Sequence, residues 1–257
     1  MSGAAGLKKQ FESVLGGALE WQDHPAPELV RSGIPEIDHA TGGLPRGCLT
    51  EIFGAASSGR TSLLVAILAE ATAREEVCAL VDAEDAFDPA SAATAGVRFD
   101  RLLWVRCGHR AEYALKAADL LIQGGGFGLV AMDLGDTPPE MARRISLTSW
   151  FRLRRAVEHT PTVLLTVALR SNAKTCASLM LECAREGVAW TGIAHGRLLR
   201  GIRVHVARRK PGRAVAASFL CAGQADPQTT WAPRPASLGK PEEADDEKRS
   251  SAPLALE

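Results

Sequence analysis

The sequence predicts an α/β fold, with a mainly parallel central sheet, helices on both of its faces and an antiparallel hairpin at its C-terminal edge. Three observations carry that expectation. Strand-length runs that are apolar throughout, such as LVAM at 129–132 and TVLLTVA at 162–168, alternate with helix-length runs, the pattern of parallel strands buried on both faces. A Gly/Ser-rich loop, Gly54 to Thr61, joins one such strand to a helix. GIRVHVARRKPGRAVAASFLCA then reads as two strands joined by a Lys210-Pro211-Gly212-Arg213 turn.

The elements follow in order. Residues 7–21 space Phe11, Val14, Leu15 and Leu19 as an amphipathic helix, interrupted by Gly16 and Gly17 and closed by Pro25 and Pro27. Packing on its own core is expected for it, and docking on a neighbouring subunit is the alternative. The turn-rich GIPEIDHATGGLPRG leads into a strand at 48–53, the loop, and a helix to about Arg74 whose stripe is Leu63, Leu64, Ile67 and Leu68. A strand at 77–81 runs into DAEDAFDP, followed by a helix at 90–95, a strand at 102–106, a helix at 111–123 and a strand at 129–132 ending at Asp133. Thr137, before Pro138 and Pro139, reads as the N-cap of one helix over 141–158. After the strand at 162–168, TCASLMLECARE at 175–186 reads as an apolar helix-like run. The expected organisation is an N-terminal helical segment at 1–31, a core domain at 32–231 and a disordered, charged tail at 232–257, whose acidic run from Glu242 to Glu247 reads as a solvated linker.

Composition narrows the class. A chain of 257 residues with 46% hydrophobic content can bury one sizeable core. No segment reaches the apolar length of a membrane span and the N-terminus lacks the apolar block of a signal peptide, so a cytoplasmic, nucleoid-associated location is expected. Cys48, Cys78, Cys107, Cys176, Cys183 and Cys221 form no CxxC pair or zinc spacing and read as reduced, packed side chains. The zero net charge hides a block: residues 143–213 carry 15 Lys/Arg against 3 Asp/Glu, +12 in all. A field of one sign on that scale favours a polyanion such as nucleic acid, with internal pairing of the arginines as the alternative.

The loop TEIFGAASSGRTSLL has the frame of a phosphate-binding P-loop, Gly-x-x-x-x-Gly-Lys-Ser/Thr, with Arg60 where the lysine belongs. Gly54, Ala55, Ser57, Ser58, Gly59, Arg60, Thr61 and Ser62 are therefore the candidate residues for ATP, whose phosphates such backbone N–H groups and a helix N-terminus can hold. A guanidinium is a planar fork rather than a compact point charge, so binding can survive while hydrolysis falls. Ligands of open α/β sheets sit beyond the carboxyl ends of the strands. There Asp133 and the Thr61 hydroxyl are the candidate Mg2+ ligands, and Glu84 the candidate catalytic residue that orients an attacking water.

With SGIPEIDHATGGLPRG, TEIFGAASSGRTSLL, LVDAEDAFDPASAATAGV and LVAMDLGD in place, the chain resembles the RecA recombinases and their relatives over residues 32–168. The resemblance implies a RecA-like P-loop fold and puts Glu84 on the water-activating glutamate of that family's DAE-x-A-x-DP segment. The departures are informative. Ala168 falls where the family has a glutamine that senses the γ-phosphate, and the 175–186 run replaces a glycine-rich, mobile DNA-binding loop. This arrangement is similar to the ImuA group of short RecA-like proteins, which implies a role beside an inactive Y-family polymerase in damage-induced mutagenesis.

The basic candidates for DNA form two sets with aromatics among them. Arg143, Arg144, Arg152, Arg154 and Arg155 lie on the 141–158 helix with Trp150 and Phe151; Arg197, Arg200, Arg203, Arg208, Arg209 and Lys210 lie around the edge hairpin, after Trp190 and His195; Arg170 and Lys174 fall between the sets. Stacked bases and paired phosphates suit single-stranded DNA, while core or interface anchoring is the alternative for the tryptophans. The expected function is a DNA repair and damage-tolerance accessory protein that binds single-stranded DNA and a recombinase or Y-family polymerase-like protein, with weak or absent ATP hydrolysis; self-association is left open. The alternatives are a DNA-dependent ATPase active in strand exchange, and an ATP-binding regulator that does not touch DNA.

Overall fold

The computed structural model describes residues 26–222 apart from 193–197 and 213. The helix expected at 7–21 and the tail expected at 232–257 lie outside the described residues, as do Arg197, His195 and Arg213. The chain divides into two units, Met1–Gln224 and Ala225–Glu257, and every described residue belongs to the first.

Short strands β1 (Leu29–Val30) and β2 (Leu44–Pro45) pair antiparallel around α1 (Pro35–Thr41). The main elements are β3 (Cys48–Gly54), α2 (Arg60–Ala73), β4 (Cys78–Asp82), α3 (Pro89–Thr94), β5 (Leu102–Arg106), α4 (Ala111–Gly124), β6 (Leu129–Leu134), α5 (Pro139–Ala142), α6 (Leu147–Val157), β7 (Val163–Ala168), β8 (Leu179–Thr191), β9 (Leu198–Lys210) and β10 (Val215–Ala222). Among the described residues the sheet runs β10-β9-β8-β3-β7-β6-β4-β5. From β8 to β5 every pairing is parallel, and β9 and β10 complete the edge antiparallel.

Because successive strand residues point to opposite faces, each strand feeds two cores. Ile52, Leu80, Ala131 and Leu165 pack with Leu63, Leu64, Ile67 and Leu68 of α2. Leu49, Val81, Met132 and Leu164 pack on the other face with Ala114, Ala118 and Ile122 of α4 and Trp150, Leu153 and Val157 of α6. Each fully buried Leu or Ile contributes roughly 2 kcal/mol to holding its helix on the sheet. Helices on both faces of a mainly parallel sheet, with an antiparallel edge, are the architecture expected from the sequence.

Three local expectations are corrected. The 175–186 run is not helical: after a 3-10 turn at Lys174–Cys176 it becomes β8, pairing parallel with β3 and burying Leu179, Leu181 and Cys183 on the α2 side. Its continuous apolarity fits either structure, and the open edge of β3 decides for the strand. The single helix over 141–158 is two helices. Ser146 breaks it, its hydroxyl accepting the Ser149 N–H at 3.2 Å as the N-cap of α6. Thr137 is no N-cap: Pro138 holds that position for α5, and the Thr137 hydroxyl points to Glu84.

Candidate functional site

Between β3 and α2 the chain can turn only because two residues lack side chains. A Cβ on Gly54 would lie 2.3 Å from the Cys183 carbonyl oxygen of β8, and one on Gly59, at φ +88°, would lie 2.2 Å from Val204 Cγ2 of β9. Ser57 holds a left-handed φ of 58° at the exposed tip, beside exposed Ala55 and Ala56, and Ser58 donates its N–H to the Ala55 carbonyl at 3.2 Å. The first N–H groups of α2 lack intrahelical partners, and Thr61 and Ser62 beside them are exposed. A turn of this shape ahead of a helix N-terminus presents backbone N–H groups of the kind that can hold an anion. An apolar groove of about 580 Å3 starts at Thr61 and Ser62 and continues between α2 and the β9–β10 hairpin, past Val65, Ile202 and Phe219.

Arg60 turns inward. Its guanidinium is buried, with Nη1 donating to the Gly54 carbonyl and Nη2 to the Gly135 carbonyl, both at 2.6 Å, and Nη2 lies 3.6 Å from Asp136 Oδ1. It therefore clamps the phosphate loop to the turn after β6. Asp133, at the end of β6, accepts the Gly135 N–H at 2.7 Å. Desolvation pushes its carboxyl up to about 6, with Asp82 and Asp136 adding to the rise while the Gly135 N–H and the Arg60 charge oppose it. The Mg2+ expected on Thr61 and Asp133 does not fit this donor set. A fixed guanidinium already bridges the two loops that would supply the ligands, and a divalent ion there would face that charge at close range.

Glu84 is also engaged. Buried Asp82 accepts the N–H groups of Ala86 and Phe87 and the Trp104 indole N–H, which folds the loop after β4 and sets the position of Glu84. Glu84 Oε1 then accepts the Thr137 hydroxyl at 2.8 Å, and Oε2 lies 3.0 Å from His109 Nδ1. His109 had no assignment from the sequence. The structure joins it and Thr137 to Glu84, bringing together the loops after β4, β5 and β6.

Glu51 is a residue that sequence reasoning missed. Fully buried on β3, its carboxylate accepts the Ser171 hydroxyl at 2.7 Å and the backbone N–H groups of Asn172 and Ala173 at 2.6 and 2.9 Å. It ties the strand that carries the phosphate loop to the segment after β7. An acid between Thr50 and Ile52, inside an otherwise apolar strand, was the available signal.

The basic candidates do not all lie on one surface. Arg143, Arg170 and Lys174 line a polar cavity of about 370 Å3 between the start of α5 and the segment after β7. Arg144 lines a neighbouring cavity, and Arg155 is exposed on α6. Arg152 pairs with Asp119 at 3.2 Å, Arg154 with Glu158 at 3.2 Å and Arg209 with Glu182 at 2.5 Å, while Lys210 donates to the Thr175 and Ala177 carbonyls. Arg200 lines the apolar groove and Arg203 points to the opposite face of β9, with Arg208 half-buried on that strand. Trp150 is a fully buried core residue and is removed from the set of stacking candidates, whereas Phe151 and Trp190 are exposed.

The six cysteines are free, and burial raises Cys78 and Cys183 to about 12. No cluster of three or more potential ligands could hold a metal ion among the described residues, and no helix there is long and apolar enough to cross a membrane.

The RecA N-terminal domain family matches residues 9–137, which ends before α5 and the whole basic block. The chain is similar to Protein RecA of Chloroflexus aurantiacus (strain ATCC 29364 / DSM 637 / Y-400-fl), 35% identical over 156 residues that cover 54% of this chain and 44% of that protein. It is likewise similar to Protein RecA of Rickettsia massiliae (strain Mtu5), 41% identical over 117 residues covering 45% and 34% of the two chains. With Protein RecA of Borrelia hermsii (strain HS1 / DAH) it is 38% identical over 133 residues, covering 51% and 35%. The chain thus spans less than half the length of these curated relatives.

Proposed function

Because this chain belongs to the RecA N-terminal domain family, we propose that it is a RecA-like accessory protein of DNA repair and damage tolerance that binds a nucleotide weakly, hydrolyses it little or not at all, and engages single-stranded DNA. The observation that carries this is Arg60. Its two terminal nitrogens are spent on the Gly54 and Gly135 carbonyls, so the cation that should follow a transferring phosphoryl group is fixed as a structural clamp. Phosphates are left to the backbone N–H groups of the loop and the N-terminus of α2, and the apolar groove beside Thr61 and Ser62 suits the nucleoside.

Supporting the same reading, both oxygens of Glu84 are held by Thr137 and His109, which leaves the carboxylate poorly placed to activate water. Ala168 closes β7 without a side chain that could report the γ-phosphate to the segment beyond. Arg143, Arg170 and Lys174 supply a place for phosphodiester groups. A damage-induced setting, a location in the cytoplasm near the nucleoid, and a recombinase or inactive Y-family polymerase-like partner complete the ImuA-like proposal.

A second reading, an active DNA-dependent ATPase, is favoured by one observation: Thr61 at the start of α2, Glu84 just after β4 and Asp133 near the end of β6 are all retained toward the carboxyl edge of the sheet. ATP hydrolysis by the native chain, Arg60→Lys and Glu84→Gln, each with and without single-stranded DNA, separates the two. The accessory proposal expects no DNA-stimulated turnover in the native chain. Stimulated turnover that Glu84→Gln abolishes would overturn it.

A further inference from the structure

Tyr113 is the single tyrosine of a chain whose aromatic content is only 5%, and it stands 47% exposed on α4. Cations hold it there. Arg110 Nη1 donates to the Tyr113 hydroxyl at 2.7 Å with its guanidinium carbon 5.0 Å from the ring centroid, and Lys116 Nζ lies 5.7 Å from the same centroid. The ring borders a cavity of about 420 Å3 shared with His109, Arg110 and Arg144, where Glu112 is the only carboxylate among the described residues.

That cavity shares wall residues with a second, and the second with a third. Ile145 and Ser146 line both it and the cavity of Arg143, Arg170 and Lys174; Leu169, Arg170 and Ser171 carry the latter into a space of about 440 Å3 beside Ala55 and Ala56, where Arg185 stands. The loops involved follow β5, β6, β7 and β3, so the three form one trough along the carboxyl edge of the sheet. Cations recur along its length, with an exposed ring at one end and the phosphate loop at the other. Arg110 and Lys116 lie outside the 143–213 block, which is why charge counting along the sequence does not reveal them.

We propose that this trough carries a single-stranded polynucleotide and that Tyr113 is a base-stacking residue at its far end, a proposal that rests on the nucleic-acid part of the function given above. Every unpaired base offers a face to an aromatic ring, and cations flanking the ring serve the phosphates on either side. A base stacking on Tyr113 takes the place of the Lys116 ammonium over the ring and leaves that ammonium within reach of the next phosphate. An acidic peptide would use the cations but has no use for the ring, and a duplex would present paired bases that the ring cannot enter.

The test titrates the full chain with a fluorescein-labelled oligothymidylate, and with an abasic phosphodiester strand of equal length, across a range of salt. Tyr113→Ala is expected to weaken oligothymidylate binding roughly 5- to 150-fold while leaving the abasic strand and the salt slope unchanged; Tyr113→Phe keeps the affinity. Arg110→Ala combined with Lys116→Ala lowers the salt slope by about 1.4, two phosphate contacts on a single strand. Photocrosslinking to a 5-iododeoxyuridine strand is expected to map to Tyr113 by mass spectrometry. If Tyr113→Ala binds as the native chain does while Arg170→Ala with Lys174→Ala loses binding, the stacking role is wrong and the nucleic-acid function stands. Equal weakening of both strands by Tyr113→Ala, with a lower melting temperature, also overturns the stacking role. Failure of the native chain to bind either strand at low salt overturns both.

Discussion

Replacing Arg60 by alanine tests the clamp between the phosphate loop and the turn after β6. The side chain makes two short charge-assisted hydrogen bonds, to the Gly54 and Gly135 carbonyls at 2.6 Å each. Such bonds contribute about 1.5–3 kcal/mol apiece, and the carbonyls left behind are buried. Against this, Arg60→Ala removes a buried cation whose desolvation is itself costly, and that relief offsets part of the loss. The net expectation is a destabilisation of about 3 kcal/mol. For a domain of this size that corresponds to a fall in melting temperature of roughly 6–12 °C by calorimetry. Arg60→Lys retains a charge but cannot span two carbonyls with one ammonium, so about half of that loss is expected. The freed ammonium can then reach phosphate oxygens, and the space beside Asp133 is opened to a divalent ion. Nucleotide binding by the native chain should therefore be indifferent to EDTA, and binding by Arg60→Lys should become tighter and Mg2+-dependent. A melting temperature for Arg60→Ala within about 2 °C of native, or Mg2+-dependent binding by the native chain, would refute the clamp.

Two further outcomes follow from buried groups. Glu51→Ala strips the acceptor from Ser171, Asn172 and Ala173 and should cost about 3–5 kcal/mol in thermal melts, whereas Glu51→Gln keeps one acceptor and should cost about 1–2; with the segment after β7 loosened, binding of a single strand at Arg170 and Lys174 should weaken in both. Cys78 and Cys183, held near 12 by burial against an unfolded value of 9, bind protons more tightly when folded, so their contribution is complete below pH 9 and is lost as pH rises toward 12. At pH 10 that amounts to about 1.4 kcal/mol of stability lost per thiol. Iodoacetamide at pH 8.5 should label neither in the native chain and both after unfolding; native-state labelling of either would contradict their burial.

The sheet was legible because buried parallel strands are apolar on both sides, and VLLTVA needs no context to declare itself. The 175–186 run was not, since its apolarity fits a helix or a strand and only the vacant edge of β3 selects the latter. Substitution of Arg60 was visible in the sequence, but its direction was not. Whether a guanidinium reaches outward to a ligand or inward to carbonyls depends on where Gly135 sits, 75 residues away in the chain. The same holds for the arginines of α6, whose number is plain in the sequence while the acids that neutralise Arg152 and Arg154 come from α4 and from the next turn of the helix. Trp150 could not be placed by type alone, because stacking and core packing both favour a large ring; its register on α6 with Leu153 and Val157 assigns it to the core.

The shape of the phosphate loop is imposed from the side. Cys183 of β8 backs Gly54 and Val204 of β9 backs Gly59, so these two strands act as a mould against which the turn is cast. Contacts of that kind specify the turn independently of the side chain at position 60, so that this position can serve the fold, as the Arg60 clamp does, while the outline of the loop persists.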